Sequence, residues 1–394
     1  MANAVLKSAV LVDAVRSPSG KGKPGGQLAH AHPVDLFATM LEALVDRTGI
    51  DPGTVDDVIG GCLSQVGRQA VNITRSAVLA AGFPETVPAT TVDRQCGSSQ
   101  QAVTFAAQGI MSGNYDVVIA GGVELMSSNP INSATLGQDY LGPKVGARYP
   151  GGLVGQGISA ELIAARWGMS RERLDAFAAL SHERAASAQR DGLFDGELVH
   201  VDNAAVDETV RPSTTPEGLA TLTPAFRDDD LGARFPEIEW KITAGNSSPL
   251  TDGASAVLMM SEDAAARYGL RPRAKFHSFA VTGFDPIEML TGVIPVTRRI
   301  LEKSGLSIGD IDIYEVNEAF ACVPLAWLDD LDADPEKLNV FGGAISLGHA
   351  LGSSGTRLLT TMVTALETTG GRYGLQVMCE GAGMANATII ERLS

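Results

Sequence analysis

Two stretches of the chain, far apart in sequence, read as the same short building unit. The first runs through Thr90–Gln95, Cys96-Gly97-Ser98-Ser99, a helical stretch and then YDVVIAGG. The second runs through Leu338–Phe341, a turn containing Leu351-Gly352-Ser353-Ser354-Gly355, a helical stretch and then YGLQVMCEGAG. Each passes from a strand through small residues into a helix, then into a strand that ends in glycine. Such an echo predicts two half-domains of similar topology packed together. A ligand would then sit where strand ends of both halves meet.

The rest of the chain fits that frame. Ala9–Val15 reads as a strand. Pro33–Arg47 reads as a helix, with Leu36, Phe37, Met40 and Leu44 at helical spacing. Val58–Cys62 and Asp116–Ala120 read as further strands, with a helix over Gly97–Met111 between them. Alternating strands and helices argue for an α/β fold with a largely parallel sheet. Residues 123–250 are different. They are rich in Gly, Pro, Asn and Asp, with helices expected near 159–167 and 170–190. This reads as a long excursion over a rigid core, the kind of segment that carries a binding surface. Regular alternation resumes at Ala254–Met260.

Composition excludes several classes. The chain has 394 residues and a net charge of −16, so a nucleic-acid groove or an anionic membrane surface is a poor fit. No apolar run approaches the ~20 residues of a membrane helix. The start, MANAVLKSAVLVDAV, is broken by Lys7 and Asp13 and reads as a first strand, not a signal peptide. Four cysteines in a chain this long do not look like a disulfide framework. A soluble protein of a reducing, cytoplasmic compartment is expected. The 44 glycines point to many tight backbone approaches.

Cys96 is the sharpest residue. It follows a strand and precedes a helix, and a helix N-terminus favours thiolate. That effect is worth about 0.3–1 kcal/mol, whereas bringing a thiol near neutrality takes about 2 kcal/mol, so a histidine partner is required. The plainer reading is a small buried cysteine. His349, in GGAISLGHALGSSG, lies on a tight glycine-rich loop before a helix. Of the six histidines, it alone has the setting of a base held against a sulfur. Cys379 ends the strand GLQVMC beside Gly381. It reads as a buried strand cysteine or as a second thiol that moves a C–H proton. Asn317 follows the strand Asp312–Glu315. It reads as a helix N-cap or as an amide aimed at a ligand or water. Glu318 reads as a capping carboxylate or an orienter. Gly245–Pro249, followed by Asp252-Gly253-Ala254, is a turn cluster suited to an amide-bearing ligand.

Other signatures fail. Gly20-Lys21-Gly22-Lys23-Pro24-Gly25 contains a proline and lacks an immediate helix, against a dinucleotide site. Gly305-Leu306-Ser307-Ile308-Gly309 follows a helix and precedes a strand, the reverse of a nucleophile elbow. No metal-binding motif occurs, so no metal is expected.

Taken together, DAVRSPSGK, VDRQCGSSQQA, AGGVELMSSNP, TAGNSSPLTDGASAV, EVNEAFA, GGAISLGHALGSSGTR and MCEGAGMANATIIERL resemble the thiolase family, the acetyl-CoA acyltransferases, over essentially the whole chain. The likeness is greatest to actinobacterial members, some acting on fatty-acyl or steroid-derived 3-oxoacyl-CoA. The resemblance implies two similar α/β halves, each a mixed five-stranded sheet with helices, in five layers, plus a loop domain. The expected divisions are 1–122 with 251–275, the loop domain 123–250 for CoA and oligomer contacts, and 276–394. It implies a dimer or tetramer and acyl-CoA and CoA as small-molecule substrates. It implies no tightly bound cofactor, with coenzyme A as co-substrate. The roles it implies are Cys96 as nucleophile, His349 as its activator and Cys379 as second acid/base. Asn317 would hold a water in one oxyanion hole with His349. The backbone N–H groups of Cys96 and Gly381 would form the other, and Ser248 would face the pantetheine arm. Basic groups should meet the polyanionic CoA; Lys144, Arg148, Arg227, Arg234 and Lys241 are the candidates.

The expected activity is reversible thiolysis of 3-oxoacyl-CoA, or condensation of two acetyl-CoA, through an acyl-cysteine. The alternatives are a catalytically silent thiolase-like lipid-binding protein and a ketoacyl synthase-like condensing enzyme. The second would call for a histidine in place of Asn317. Departures from the family pattern are Ala350 for a proline, Ser99 for a glycine and Pro249 for a small residue. In addition, GLVGQGISAE lacks a histidine and the 226–241 segment is longer than usual.

Overall fold

The computed structural model describes residues 7–393. Its first strand, β1 (Ala9–Arg16), is buried along its whole length. A strand covered on both faces needs a near-continuous apolar run, and AVLVDAVR supplies one. Its two charged side chains are matched internally: Asp13 meets Arg47 and Arg273, and Arg16 meets Glu197 and Asp207. The expected first strand is therefore present from Ala9; the part of that reading on Met1–Leu6 lies outside the described residues.

After β1 come β2 (Gly20–Lys21), α1 (Pro33–Thr48), β3 (Asp57–Gly61), α2 (Ile73–Ala80), β4 (Ala89–Val92), α3 (Ser98–Met111) and β5 (Val117–Leu125). The excursion holds α4 (Gly142–Arg148), α5 (Gln156–Arg166), α6 (Arg171–Arg190), α7 (Pro216–Ala220) and α8 (Asp229–Arg234). Then follow β6 (Thr251–Ser261), α9 (Glu262–Tyr268), β7 (Ala274–Gly283), α10 (Val293–Ser304), β8 (Ile313–Val316) and α11 (Cys322–Leu331). The chain ends with α12 (Ala344–Leu347), α13 (Ser354–Thr369), β9 (Tyr373–Glu380) and β10 (Met384–Arg392).

The strands join in the order β4-β3-β5-β6-β1-β7-β10-β9-β8, with β2 on β6. The β3/β4, β3/β5 and β8/β9 pairs are parallel and the rest antiparallel. The two halves touch edge to edge through only Val10↔Lys275 and Leu11↔Ala274. So the expected pair of sheets is one continuous ribbon with a narrow seam. Its second half carries four full strands. The expected strand at Leu338–Phe341 is reduced to one bridge, Tyr314↔Leu338. The cause is local: a turn of 3-10 helix at Pro335–Lys337 and a left-handed Asn339 (φ 44°) break the extended backbone on either side. The ladder also assigns β7 as a whole to the second half, so the expected 275/276 boundary falls inside a strand.

Five layers result. One core joins α1 and α2 to the outer face of the first half through Leu36, Phe37, Met40, Ile73 and Val78. A middle core holds Ala102, Val103 and Ala106 of α3 and Leu359, Met362 and Val363 of α13 between the two halves of the sheet. A third joins α10 and α11 to the second half. α3 and α13 are buried over most of their length because small and hydroxyl-bearing residues, Ser98, Ser99, Thr104, Thr356, Thr360 and Thr361, fill the positions between their apolar ones. They cross at Gly355, where a Cβ would lie 2.2 Å from the Gln100 backbone nitrogen. This crossing brings the N-terminal ends of both central helices, and the loops ahead of them, to one place. All four cysteines are free. Among the described residues no helix is long and apolar enough to cross a membrane.

Candidate active site

Cys96 lies on a tight turn between β4 and α3. Gln95, just before it, takes the left-handed conformation (φ 50°). Ser98 locks this turn by accepting from Arg94 N at 3.0 Å and donating to the Gln95 carbonyl. The sulfur is buried among Met126, Leu351, Leu358 and Met378. Gln156, the first residue of α5, is the one polar side chain that acts on it in favour of the thiolate. No hydrogen bond joins Cys96 to His349 among the described residues.

His349 follows α12 through Gly348. Gly348 has φ 83°, and a Cβ there would lie 2.6 Å from the Thr251 side chain. The close approach lets Thr251 Oγ1 accept the His349 backbone N–H at 2.9 Å. On the ring, Nδ1 lies 2.7 Å from Ser354 Oγ, which lies 2.8 Å from the Ala350 carbonyl. A serine has one proton, and a carbonyl only accepts. The assignment that satisfies both contacts sends the Ser354 proton to Ala350, so that its oxygen accepts from Nδ1–H and Nε2 keeps its lone pair.

That lone pair faces Asn317, whose Nδ2 is 3.5 Å from His349 Nε2 and 3.9 Å from Cys379 Sγ. Asn317 does not cap a helix: α11 begins at Cys322, after a turn that hangs from the Asn246 carbonyl through Ala321 N. The residue instead continues the β8 direction, with its N–H on Val377 O at 3.0 Å. Its Oδ1 has no hydrogen-bond partner among the described residues. Glu318 serves α12 and not the helix that follows it, taking the N–H of Ile345 in the first turn of α12. It accepts from Ser181, Asn339 and the Ile345 backbone, tying the Asn317 loop to α6 and to the loop that carries His349. Gly381 follows β9, and a Cβ there would lie 3.0 Å from Gln95 Oε1, which sets it against the Cys96 turn.

The electrostatics leave the resting site uncharged. Burial, and then the neighbouring Cys379 sulfur, push the Cys96 thiol up, with Gln156 acting the other way. Burial outweighs the helix N-terminus that the sequence favoured. Cys379 is pushed up to about 12 by burial, opposed by its hydrogen bond from Asn317. Burial, then the Arg357 charge, lowers His349 to about 3. Two thiols and a neutral imidazole with a free Nε2 suit proton transfer concerted with attack on an acyl group.

The structure thus groups Cys96, His349, Cys379, Asn317 and Gly381. Ser248 is half-buried in the loop that donates to the Ala319 carbonyl, close behind Asn317. The cations stand apart from this cluster. Lys144 and Arg148 are exposed on α4. Arg227 is exposed and faces Asp229 at 3.8 Å. Arg234 holds the Gly151 carbonyl, and Lys241 holds Met169 O and Glu239. None bonds to a residue of the cluster among the described residues. Sequence reasoning missed Gln156, Thr251, Ser354 and Arg357. Two signals were available: a polar residue opening α5, and a hydroxyl opening the helix that follows the base.

A glycine-lined, two-half α/β fold that joins two thiols, an imidazole and an amide at its centre is the frame of an acyl-transferring enzyme. The sequence matches the thiolase N-terminal domain over residues 9–263 and the thiolase C-terminal domain over residues 270–392. It is 50% identical over 402 residues to the steroid 3-ketoacyl-CoA thiolase FadA6 of Mycobacterium tuberculosis, covering 99% of this chain and 95% of that one. It is 42% identical to a 3-ketoacyl-CoA thiolase of Aliivibrio fischeri, covering 98% and 100%. The crystal structure of the Bacillus anthracis acetyl-CoA acetyltransferase superposes with a TM-score of 0.87 at 38% identity, covering 99% and 100%. The chain belongs to the thiolase family and is an acyltransferase.

Proposed function

We propose that this thiolase cleaves 3-oxoacyl-CoA with CoA, through an acyl group carried on Cys96. Cys96 Sγ attacks the 3-oxo carbon as its proton passes to His349. The C2–C3 bond then breaks, and Cys379 protonates C2 of the departing acetyl-CoA enolate. Cys379, now a thiolate, takes the proton of incoming CoA. The CoA sulfur accepts the acyl group from Cys96, whose sulfur recovers its proton from His349. Every proton returns to its source, and the reverse sequence condenses two acyl-CoA esters.

The observation that carries this reading is the Asn317 amide, set between His349 Nε2 at 3.5 Å and Cys379 Sγ at 3.9 Å. The unpartnered Asn317 Oδ1 suits a water beside the enolate oxygen. Backbone N–H groups of Cys96 and Gly381 would meet the oxyanion on the 3-oxo carbon. Each such donor is worth about 3–4 kcal/mol. The Met126 and Met378 thioethers beside Cys96 suit an aliphatic acyl chain of adaptable shape. We assign Ser248 to pantetheine and Lys144, Arg148 and Arg227 to the phosphates. The 123–250 segment would serve CoA and oligomer contacts; Ile131, Leu136 and Tyr140, 51%, 71% and 73% exposed, give it apolar surface for a second copy. The setting assigned is cytoplasmic. A silent lipid carrier would have no use for this polar set, and Asn317 does not fit a ketoacyl synthase.

Two variants test the roles. Cys96→Ala should give no acyl-enzyme by intact-mass measurement after exposure to 3-oxoacyl-CoA. Cys379→Ala should still be acylated by a simple acyl-CoA yet lose thiolysis by about 100-fold or more. Near-normal thiolysis in Cys379→Ala would remove its acid/base role. Turnover of acetoacetyl-CoA against longer and branched 3-oxoacyl-CoA esters would fix the acyl class.

A further inference from the structure

Behind His349, on the side away from Cys379, lies a cavity of about 10 Å³. Ser17, Ser19, Ser353, Ser354, Gly253 and Arg357 help to line it. Its hydrogen-bond chemistry is one-sided. Each of the four serines donates to a backbone carbonyl: Ser17 to Pro18, Ser19 to Leu347, and Ser353 and Ser354 to Ala350. With those protons engaged, only lone pairs are left for the cavity, although Ser17 Oγ already accepts Ala254 N at 3.1 Å and Ser354 Oγ meets His349 Nδ1 at 2.7 Å. Arg357 is 5% exposed, and neither Nη1 nor Nη2 has a partner. Glu315, the carboxyl that acts most strongly on it, is fully buried and also lacks a hydrogen bond on either oxygen. Unpartnered guanidinium donors and serine oxygens thus line the same water-sized space. A single water needs about 10–15 Å³ and two to four polar partners, and this space offers both.

We propose that the cavity is a site for one structural water that accepts from Arg357 and donates to the serine oxygens, and that Arg357 thereby acts as a positioning residue for His349. The water ties the guanidinium to Ser354 Oγ, which accepts the Nδ1 proton at 2.7 Å. Arg357 lies one helical turn beyond Ser354 on α13, so the helix fixes both ends of the link. The buried positive charge then keeps a proton off Nε2 and leaves that nitrogen free as a base.

Gly253 supplies the test. A Cβ there would enter the cavity at ordinary contact distances, 3.5 Å from Ser17 Oγ and Ala350 Cβ and 3.9 Å from Ser353 Oγ. Filling an empty void at such distances stabilises a protein; displacing a water that serves buried polar groups does the opposite. G253A should therefore melt several degrees lower than wild type. Its single-turnover acylation rate should fall about tenfold with the KM for CoA unchanged. The ¹⁵N spectrum of His349 should lose its single Nδ1–H tautomer. An unchanged or higher melting temperature, or an unchanged acylation rate, overturns the proposal. Should G253A not fold, R357K and R357M decide. Lysine should keep acylation within about threefold of wild type while methionine loses about tenfold, and equal rates overturn the proposal. The role given to Arg357 rests on the acyl-transfer reading, but the melting shift does not. A wild-type protein without thiolase activity sinks that reading alone, and a G253A protein that melts higher sinks only this one.

Discussion

At Cys96 the sulfur meets conflicting demands, since it must be buried to exclude water and yet must give up a proton. Burial dominates and holds the thiol protonated. Gln156 is the one side chain whose amide pulls the other way. A hydrogen bond to a charged acceptor is worth about 1.5–3 kcal/mol, equal to one to two pKa units. Gln156→Met keeps the length of the side chain and removes the donor. Alkylation of Cys96 by iodoacetamide at pH 7, followed by peptide mass mapping, should slow about tenfold or more. An alkylation rate equal to that of wild type would show that the amide does not serve the sulfur. This residue also marks where the sequence stopped being informative. The two cysteines, His349 and Asn317 were visible because each sits beside glycine or at a strand end. Gln156 comes from a segment about 60 positions away, and only the folded excursion brings α5 to the sulfur.

Elements, rather than side chains, set the distance between the two halves of the site. Gly61 of β3, Gly122 of β5 and Gly352 of the loop after His349 meet backbone to backbone. A Cβ on Gly352 would lie 2.6 Å from Val123 O, 2.7 Å from Cys62 Cα and 2.8 Å from Gly61 O. All three are main-chain atoms that cannot swing aside. Glu124 adds a clamp, accepting Gly352 N at 3.0 Å together with Leu63 N and Ser64 N. Gly352→Ala must push the His349 loop off the first half, and overpacking of this kind costs about 1–3 kcal/mol. Urea unfolding should show that loss, and thiolysis should fall with it. Gly196→Ala, where a Cβ meets nothing within 4 Å, is the control and should change neither. The glycine content announced such contacts in advance. It did not say which glycines meet, because that depends on the α3–α13 crossing. The strands and long helices were legible from apolar periodicity. The Leu338–Phe341 strand failed because one left-handed asparagine outweighed an apolar run, and the Asn317 cap failed because the helix opens only at Cys322.

Across the whole molecule, the buried site makes stability depend on pH from both sides. On the acid side, His349 stays neutral down to about 3 because burial and then Arg357 disfavour its charge. The unfolded chain binds that proton near the ordinary 6.5. Below 6.5 the unfolded state therefore holds more protons, and stability falls as pH falls. On the alkaline side, burial raises Glu315 and Glu380 to about 8, with Arg357 opposing at the first and Arg94 at the second. Between their ordinary 4.5 and about 8 the folded state holds the extra protons. Their contribution is complete below 4.5 and is lost as pH rises through 8. Neither carboxylate has a hydrogen bond on either oxygen, so ionisation leaves a bare buried charge. The net charge of −16 adds general repulsion at high pH in every variant alike. Above 4.5 the two carboxyl protons outweigh the one histidine proton, so the melting temperature of the wild type should be highest at about pH 4.5–5 and fall toward both pH 3 and pH 9. Glu380→Gln and Glu315→Gln, which keep shape and remove the titration, should each shrink the drop between pH 6 and pH 9. The double variant should shrink it most and move the maximum toward about pH 6–7, with the limb below 4.5 unchanged. If both single variants lose as many degrees as the wild type over that range, the two carboxyls are already ionised in the folded protein, and the uncharged character assigned to the interior around the two sulfurs is wrong.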